Sequence, residues 1–228
     1  MKMNEQENMF IKIAHRGASA YEPENTLRSF ERAIELKADM IELDVRQSID
    51  GHLIVMHDDT VDRTTDSTGL VSLKTLSELK ELNAGKGEQI PTLDEVIELG
   101  RERAKFVIEL KENGAEDKVV ELIHKNNLMD EVFIVSFKPN RLKMIKELEP
   151  NLKTGLIIFA SIDPIRLAKN CGADVVAPFR WFITKALVER ARQNGLYTFT
   201  WTVDDTVKAQ ELKEKGVSGI VTNKPDII

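Results

Sequence analysis

Between Met40 and His57 the chain reads MIELDVRQSIDGHLIVMH. Glu42 and Asp44 stand two residues apart in an apolar run, so a strand turns both carboxylates to one face. Asp50-Gly51 lies between two extended runs and is the sequence signal for a type I′ hairpin, with positive φ at both central residues. That register predicts Asp44 opposite His57 and Glu42 opposite Asp59, with His57 on the face of the acids. A slip of one residue would turn His57 to the other face. Two carboxylates and an imidazole on one face make a costly core and a workable site for a cation and a proton. A surface hairpin can carry the same residues without chemistry, so the rest of the chain has to decide.

Other apolar runs also end in polar residues. FIKIA at 10–14 leads into His15-Arg16-Gly17, and FVIEL at 106–110 carries Glu109 with Lys111 just beyond it. Glu109 and Lys111 share a face, and as a pair they could be no more than an ion pair. The run from Tyr197 to Val203 carries Trp201 and is followed by Asp204. Polar groups are expensive to bury unpaired, so their repeated occurrence at strand ends asks for a function. Glu42, Asp44 and Glu109 offer oxygen ligands only, which suits Mg²⁺ or Ca²⁺, with Mn²⁺ also accommodated. His15 and His57 form a pair fit for general acid–base work on a phosphoryl group. Arg16 and Lys111 supply positive charge for phosphate oxygens. Trp201 reads either as core or as a substrate wall. His52, beside a turn, and His124, on a polar helix face, receive no role.

These residues need a scaffold that brings strand ends together. Eight near-continuous apolar strands alternate with amphipathic helices along the chain. The strands are 10–14, 40–45, 106–110, 132–136, 154–158, 175–178, 197–203 and 219–222. The helices are predicted from about 26 to 37, with Asn25 as N-cap, and at 92–103, 116–126, 140–148, 164–170, 184–193 and 206–215. Such alternation means a parallel sheet covered by helices, and eight units in roughly 250 residues point to a (β/α)₈ barrel, an α/β fold. An open doubly wound sheet is the competing architecture, but no Gly-rich phosphate loop follows any strand. Residues 58–90 are polar and irregular and read as a small insertion above the barrel. Their one short helix, 74–82, opens on a capping box at Thr75 and Glu78, and a second capping box at Thr92 and Glu95 follows. No helix pattern follows the last strand, and the amino-terminal segment is expected to cover that gap. The whole of 1–228 thus reads as one barrel domain.

The 228 residues carry a net charge of −6, which gives no basic footprint for nucleic acid. Hydrophobic content of 42% and charged content of 31% are those of an ordinary globular chain. The opening MKMNEQENMF has no apolar signal core, and no apolar run reaches the ~20 residues that span a bilayer. A single cysteine, Cys171, forbids an intrachain disulfide. A cytoplasmic protein without stable membrane insertion is expected; its oligomeric state is not readable.

Taken in order, HRG at 15–17, PENT at 23–26, ELDV at 42–45, DG at 50–51, HD at 57–58, RTT at 63–65, PTLDE at 91–95 and ELK at 109–111 resemble the glycerophosphodiester phosphodiesterase family. The closing GVSGIVTNKPD is similar to that family's last strand, with Asn223 where Asp often stands. The resemblance implies a (β/α)₈ barrel with an insertion after the second strand, metal ligands at Glu42, Asp44 and Glu109, and catalytic histidines at His15 and His57. It implies hydrolysis of small-molecule glycerophosphodiesters to glycerol 3-phosphate and an alcohol. The expected route is attack by the glycerol 2-hydroxyl, with its proton taken by His57 and the departing alcohol protonated by His15. Water then opens the cyclic phosphate; direct attack by water is the variant. Two other readings remain: a related metal-dependent phospholipase acting on lysophospholipid or phosphoinositide headgroups, and a barrel that only binds phosphodiesters.

Overall fold

The structure is a computed structural model that describes residues 10–227. Nine strands form one sheet: β1 (Ile11–His15), β2 (Met40–Gln47), β3 (Leu53–Val55), β4 (Lys105–Leu110), β5 (Val132–Ser136), β6 (Lys153–Ile158), β7 (Val175–Pro178), β8 (Tyr197–Thr200) and β9 (Gly219–Thr222). Eight of them are parallel, in the order β1-β9-β8-β7-β6-β5-β4-β2, and a β1–β2 pairing closes the cylinder. The expected (β/α)₈ barrel is therefore the fold, and the open sheet is not. The ninth strand, β3, is the returning arm of the hairpin and runs antiparallel to the end of β2.

Among the described residues there are eight α-helices: α1 (Leu27–Glu35), α2 (Leu76–Lys80), α3 (Leu93–Gly100), α4 (Glu116–Lys125), α5 (Pro139–Leu148), α6 (Pro164–Asn170), α7 (Lys185–Gln193) and α8 (Thr206–Glu214), of which α2 belongs to the 58–90 segment and the others pack outside the barrel. Local chemistry sets their ends. Thr75 with Glu78 and Thr92 with Glu95 form the two expected capping boxes. Asn25 is not the cap of α1. Thr26 takes that position and accepts from the Ser29 N–H, because the Asn25 side chain is used elsewhere.

Strand alternation divides the apolar residues into two layers. Ile13, Met40, Val107, Phe133, Val135, Val175, Ala177 and Phe199 fill the barrel interior. Ile41, Leu43, Val45, Ile108 and Leu110 point outward against Phe30, Val96, Ile97 and Val119 of the helices. Residues in step with Met40 and Val107 therefore face inward, and those include Glu42, Asp44 and Glu109. Residues 58–90 wrap a separate apolar cluster of Met56, Val61, Val71, Leu79 and Ile90. After β9 the described chain makes no further helix, and Phe10 and Ile227 pack on the outer cluster there. The proposed cover for this gap, residues 1–9, lies outside the described residues.

The hairpin register differs from the expected one. Val45 pairs with Val55 and Gln47 with Leu53, one residue away from the pairing that would set Asp44 opposite His57. The turn is the reason. Only Gly51 has positive φ (+81°), and Gly51 N–H donates to the Ser48 carbonyl, so the loop has three residues rather than two. Asp50 is fixed outside the left-handed region while its carboxylate accepts from Ser48 Oγ and from the Leu76 N–H at the start of α2.

Candidate active site

In a parallel barrel the strands deliver their C-terminal ends to one mouth. The register pairs His15 with Glu42 across β1–β2, and Asp44 with Glu109 across β2–β4. All four alternate inward, so three strands bring one imidazole and three acids to one place. One oxygen from each of Glu42, Asp44 and Glu109 lies within 4.8 Å of the others, and all three residues are buried.

Cations hold this cluster together. Lys111 Nζ lies 2.9 Å from Glu109 Oε1 and 3.5 Å from Asp44 Oδ1. Arg16 Nε lies 3.2 Å from Asp44 Oδ2, an ion pair without hydrogen-bond alignment, and its backbone N–H donates to Glu42 Oε2 at 2.9 Å. Asn25 Nδ2 donates to Asp44 Oδ2 at 2.9 Å. Arg16 and Asn25 both adopt positive φ, +54° and +57°. Such backbones are uncommon outside glycine and cluster where a side chain must be aimed. Gly17 follows at +82°, and a Cβ there would lie 2.3 Å from Ser29 Oγ and 2.6 Å from the Ser29 carbonyl carbon, so both the backbone and the space call for glycine.

Burial, with Asp44 and Glu109 close by, raises the Glu42 carboxyl well above its usual range. Burial and Asp44 push Glu109 up to about 7. Burial would raise Asp44 too, but Lys111, Arg16 and His57 outweigh it and lower its pKa. The cluster thus contains one stabilised carboxylate and two that resist ionisation. Asp44 Oδ1 is buried and receives no hydrogen bond. An orphaned carboxylate oxygen beside two neighbouring acids is what a bound divalent cation would satisfy, and an all-oxygen donor set fits Mg²⁺ or Ca²⁺.

His57 reaches the mouth by a route other than the expected one. The last bond of the hairpin runs from the Met56 N–H to the Asp44 carbonyl, at 2.9 Å, so His57 lies beyond the pairing and strict alternation no longer governs it. Arg46 Nε and Nη2 both donate to the His57 carbonyl, at 3.0 and 2.8 Å. His57 Nδ1 lies 2.6 Å from Asp58 Oδ1. Burial lowers the His57 pKa, opposed by Asp44 and Asp58 and reinforced by Arg16 and Lys111. His15 is also lowered, chiefly by burial and by Arg16. Its Nδ1 lies 2.7 Å from Asn223 Oδ1. Of the two histidines without a role, His124 sits 3.1 Å from Glu149 and His52 3.9 Å from Asp50.

The far side of the mouth is aromatic. The residues just past β5, β6, β7 and β8 are Phe137, Phe159, Phe179 and Trp201. Trp201 is the hub, with ring centroids 5.5 Å from Phe137, 6.5 Å from Phe159 and 5.1 Å from Phe179. Its Nε1 donates to the Ala177 carbonyl at 2.9 Å, which fixes the ring. Phe137, Phe159, Trp181 and Phe182 are exposed.

Asn25, Arg46, Glu24, Asp58 and Arg63 were not singled out by the sequence. Their signal was motif membership alone: PENT, ELDV and its neighbour, HD and RTT. Reading Asn25 as a helix cap concealed its bond to Asp44.

The glycerophosphoryl diester phosphodiesterase family model matches residues 15–227. The chain belongs to that family. It is 42% identical to a glycerophosphodiester phosphodiesterase of Caldanaerobacter subterraneus subsp. tengcongensis, with 96% of each chain covered. Its fold is similar to that of a glycerophosphodiester phosphodiesterase from Agrobacterium tumefaciens, at 31% identity and TM-score 0.89, covering 96% of this chain and 98% of that one. It is similar also to an Oleispira antarctica phosphodiesterase solved with the product sn-glycerol-3-phosphate, at 29% identity and TM-score 0.90, covering 96% and 94%. Like its relatives in the glycerophosphoryl diester phosphodiesterase family, the chain is an enzyme that hydrolyses phosphodiesters. No helix among the described residues is long and apolar enough to cross a membrane.

Proposed function

We propose that the enzyme cleaves glycerophosphodiesters to sn-glycerol 3-phosphate and an alcohol, with one divalent cation held by Glu42, Asp44 and Glu109 and with His15 and His57 moving protons. The observation that carries this reading is the meeting of three buried acids within 4.8 Å of one another at the mouth where His15 also emerges. Membership of the family supports the substrate class.

A bound divalent ion supplies Lewis acidity for a phosphate oxygen and lowers the pKa of a coordinated hydroxyl. The rest is done by side chains. Arg16 and Lys111 offset charge on the phosphoryl oxygens. One imidazole removes the proton of the glycerol 2-hydroxyl as it attacks phosphorus, and the other gives a proton to the leaving oxygen. Water then opens the cyclic phosphate with the two roles reversed. Burial lowers the pKa of both imidazoles; the one that acts as base enters the step neutral, and the one that acts as acid enters it with a proton on the nitrogen facing the leaving oxygen. Trp201 and its aromatic neighbours form a wall for the departing alcohol. The single cysteine, Cys171, is free and buried, in keeping with the reducing cytoplasm as the site of action.

The aromatic rim favours a second reading. A phospholipase acting on lysophospholipids would need an apolar border, and the residues beyond β5 to β8 provide one although 58–90 does not. The deciding experiment is a coupled glycerol 3-phosphate assay on deacylated phospholipids, beside an assay of the free alcohol released from lysophospholipids, after EDTA treatment and after return of Mg²⁺ or Ca²⁺. Ion-dependent release from the deacylated substrates is expected. Full turnover by thoroughly chelated enzyme would remove the metal from the proposal, and turnover of lysophospholipids alone would replace the substrate.

A further inference from the structure

A hydrogen-bond chain runs away from the mouth behind His15. Beyond the 2.7 Å contact of His15 Nδ1 with Asn223 Oδ1, Asn223 Nδ2 donates to Asp204 Oδ2 at 2.6 Å. The Asn223 backbone N–H donates to Asp204 Oδ1 at 2.7 Å, and Thr222 Oγ1 donates to the same oxygen at 3.1 Å. A carboxylate only accepts, so the Asn223 amide must turn its NH₂ toward Asp204 and its oxygen toward His15. An amide oxygen likewise only accepts. The ring nitrogen that faces it has to carry a proton. Ser19 Oγ, 2.8 Å from Asn223 Oδ1 and 2.7 Å from the His15 carbonyl, has one proton for two acceptors and does not alter this direction.

We propose that Asn223, its amide oriented by Asp204, is a positioning residue that keeps the proton on His15 Nδ1, so that the neutral ring is the Nδ1–H tautomer and Nε2 is the nitrogen that takes or gives the proton at the substrate. His57 meets the same condition by a different partner, since Asp58 at its Nδ1 is also an acceptor. The two imidazoles therefore present the same nitrogen, one backed by a neutral amide and one by a carboxylate. The second member of a histidine's hydrogen bonds selects its tautomer, and an amide does so without adding charge to a site that already holds three acids. The tautomer stands on hydrogen bonding alone; its effect on turnover rests on the proton-transfer role proposed for His15 above.

Nitrogen-15 NMR of the full chain, labelled at histidine and recorded near pH 8, reads the tautomer directly. The chain has four histidines, which single His→Gln variants assign. His15 should show a protonated Nδ1 and a bare Nε2; a protonated Nε2 in the wild-type protein overturns the proposal. Asn223→Leu removes the acceptor at similar volume and should give a mixture of tautomers, with kcat down ~10–100-fold and KM changed far less. The exchange Asn223→Asp with Asp204→Asn restores an acceptor toward Nδ1 without setting two carboxylates 2.6 Å apart, and should return both the Nδ1–H signature and most of kcat. Asp204→Leu releases the amide and should again mix the tautomers. If Asn223→Leu keeps the wild-type tautomer, Asn223 does not set it. If the tautomer shifts while kcat stays, the positioning stands and the proton-transfer role of His15 is what fails.

Discussion

Arg63 donates to both oxygens of Glu24, at 2.7 and 2.8 Å, and so ties the segment after β3 to the loop after β1. The same guanidinium donates through Nε to Asp58 Oδ2 at 2.6 Å. Asp58 holds His57, and Glu24 accepts from Arg16 Nη1 at 2.9 Å. One arginine therefore steadies the partner of His57 and the partner of Arg16, the residue beside His15. Its hydrogen bond, with help from His57, holds Asp58 well below the usual carboxylate range. Arg63→Met should lower kcat ~10–100-fold, in line with the loss of other outer partners, while the fold is kept. Steady-state kinetics beside a circular dichroism spectrum checks this, and unaltered kcat refutes it.

Removing either imidazole should be more damaging. His15→Ala and His57→Ala are each expected to lower kcat by ~10²–10⁴ while the proteins remain folded. A variant with near wild-type turnover would show that its histidine moves no proton in the slow step.

The acid cluster should make the metal-free protein sensitive to pH in a particular direction. Glu109 ionises at about 7 in the folded chain against 4.5 for the reference group. Between those values the native state holds the extra proton, so this group's contribution to stability falls as pH rises from about 5 to 8. The size is on the order of 2–3 kcal/mol. The two histidines act in the opposite sense below their unperturbed pKa, because their folded values are lowered. The comparison is therefore between wild type and Glu109→Gln. In EDTA the wild type should lose Tm relative to the variant as pH climbs, and Mg²⁺ or Ca²⁺ should restore wild type alone. Parallel Tm curves would contradict the buried, proton-holding Glu109.

Gly17→Ala tests the bend that aims Arg16. The added Cβ would meet Ser29 backbone at 2.6 Å, and φ of +82° is strained for any L side chain. A cost of about 2–4 kcal/mol is expected from the overlap and strain together. Chemical denaturation measures it, and kcat should fall along with stability, because Arg16 N–H and side chain would shift from Glu42 and Asp44. A fully stable, fully active variant would mean the loop relaxes elsewhere.

Trp201→Ala should separate the two sides of the substrate. It removes the hub of the aromatic wall without touching the acids. KM for diesters with bulky or apolar alcohols should rise more than KM for those with small polar alcohols, with kcat changed less. An equal effect on both would mean that Trp201 only supports the barrel.

Much was legible in the sequence because it depends on short-range rules. Strand and helix runs follow from periodicity and caps, and both capping boxes are where Thr and Glu spacing puts them. Inward placement of Glu42, Asp44 and Glu109 follows from alternation within single strands, once the barrel is granted. Tertiary structure decided the rest. The hairpin register depended on Asp50 being engaged by Leu76, far along the chain, so Asp-Gly alone chose the wrong turn. His57 reaches the mouth because Arg46 and Asp58 hold it there, not because strand alternation aims it. Asn25 serves Asp44 across 19 residues, and Asn223 serves His15 across 208. Contacts of that span form only when the sheet closes on itself, and closure is a property of the whole chain rather than of any segment of it.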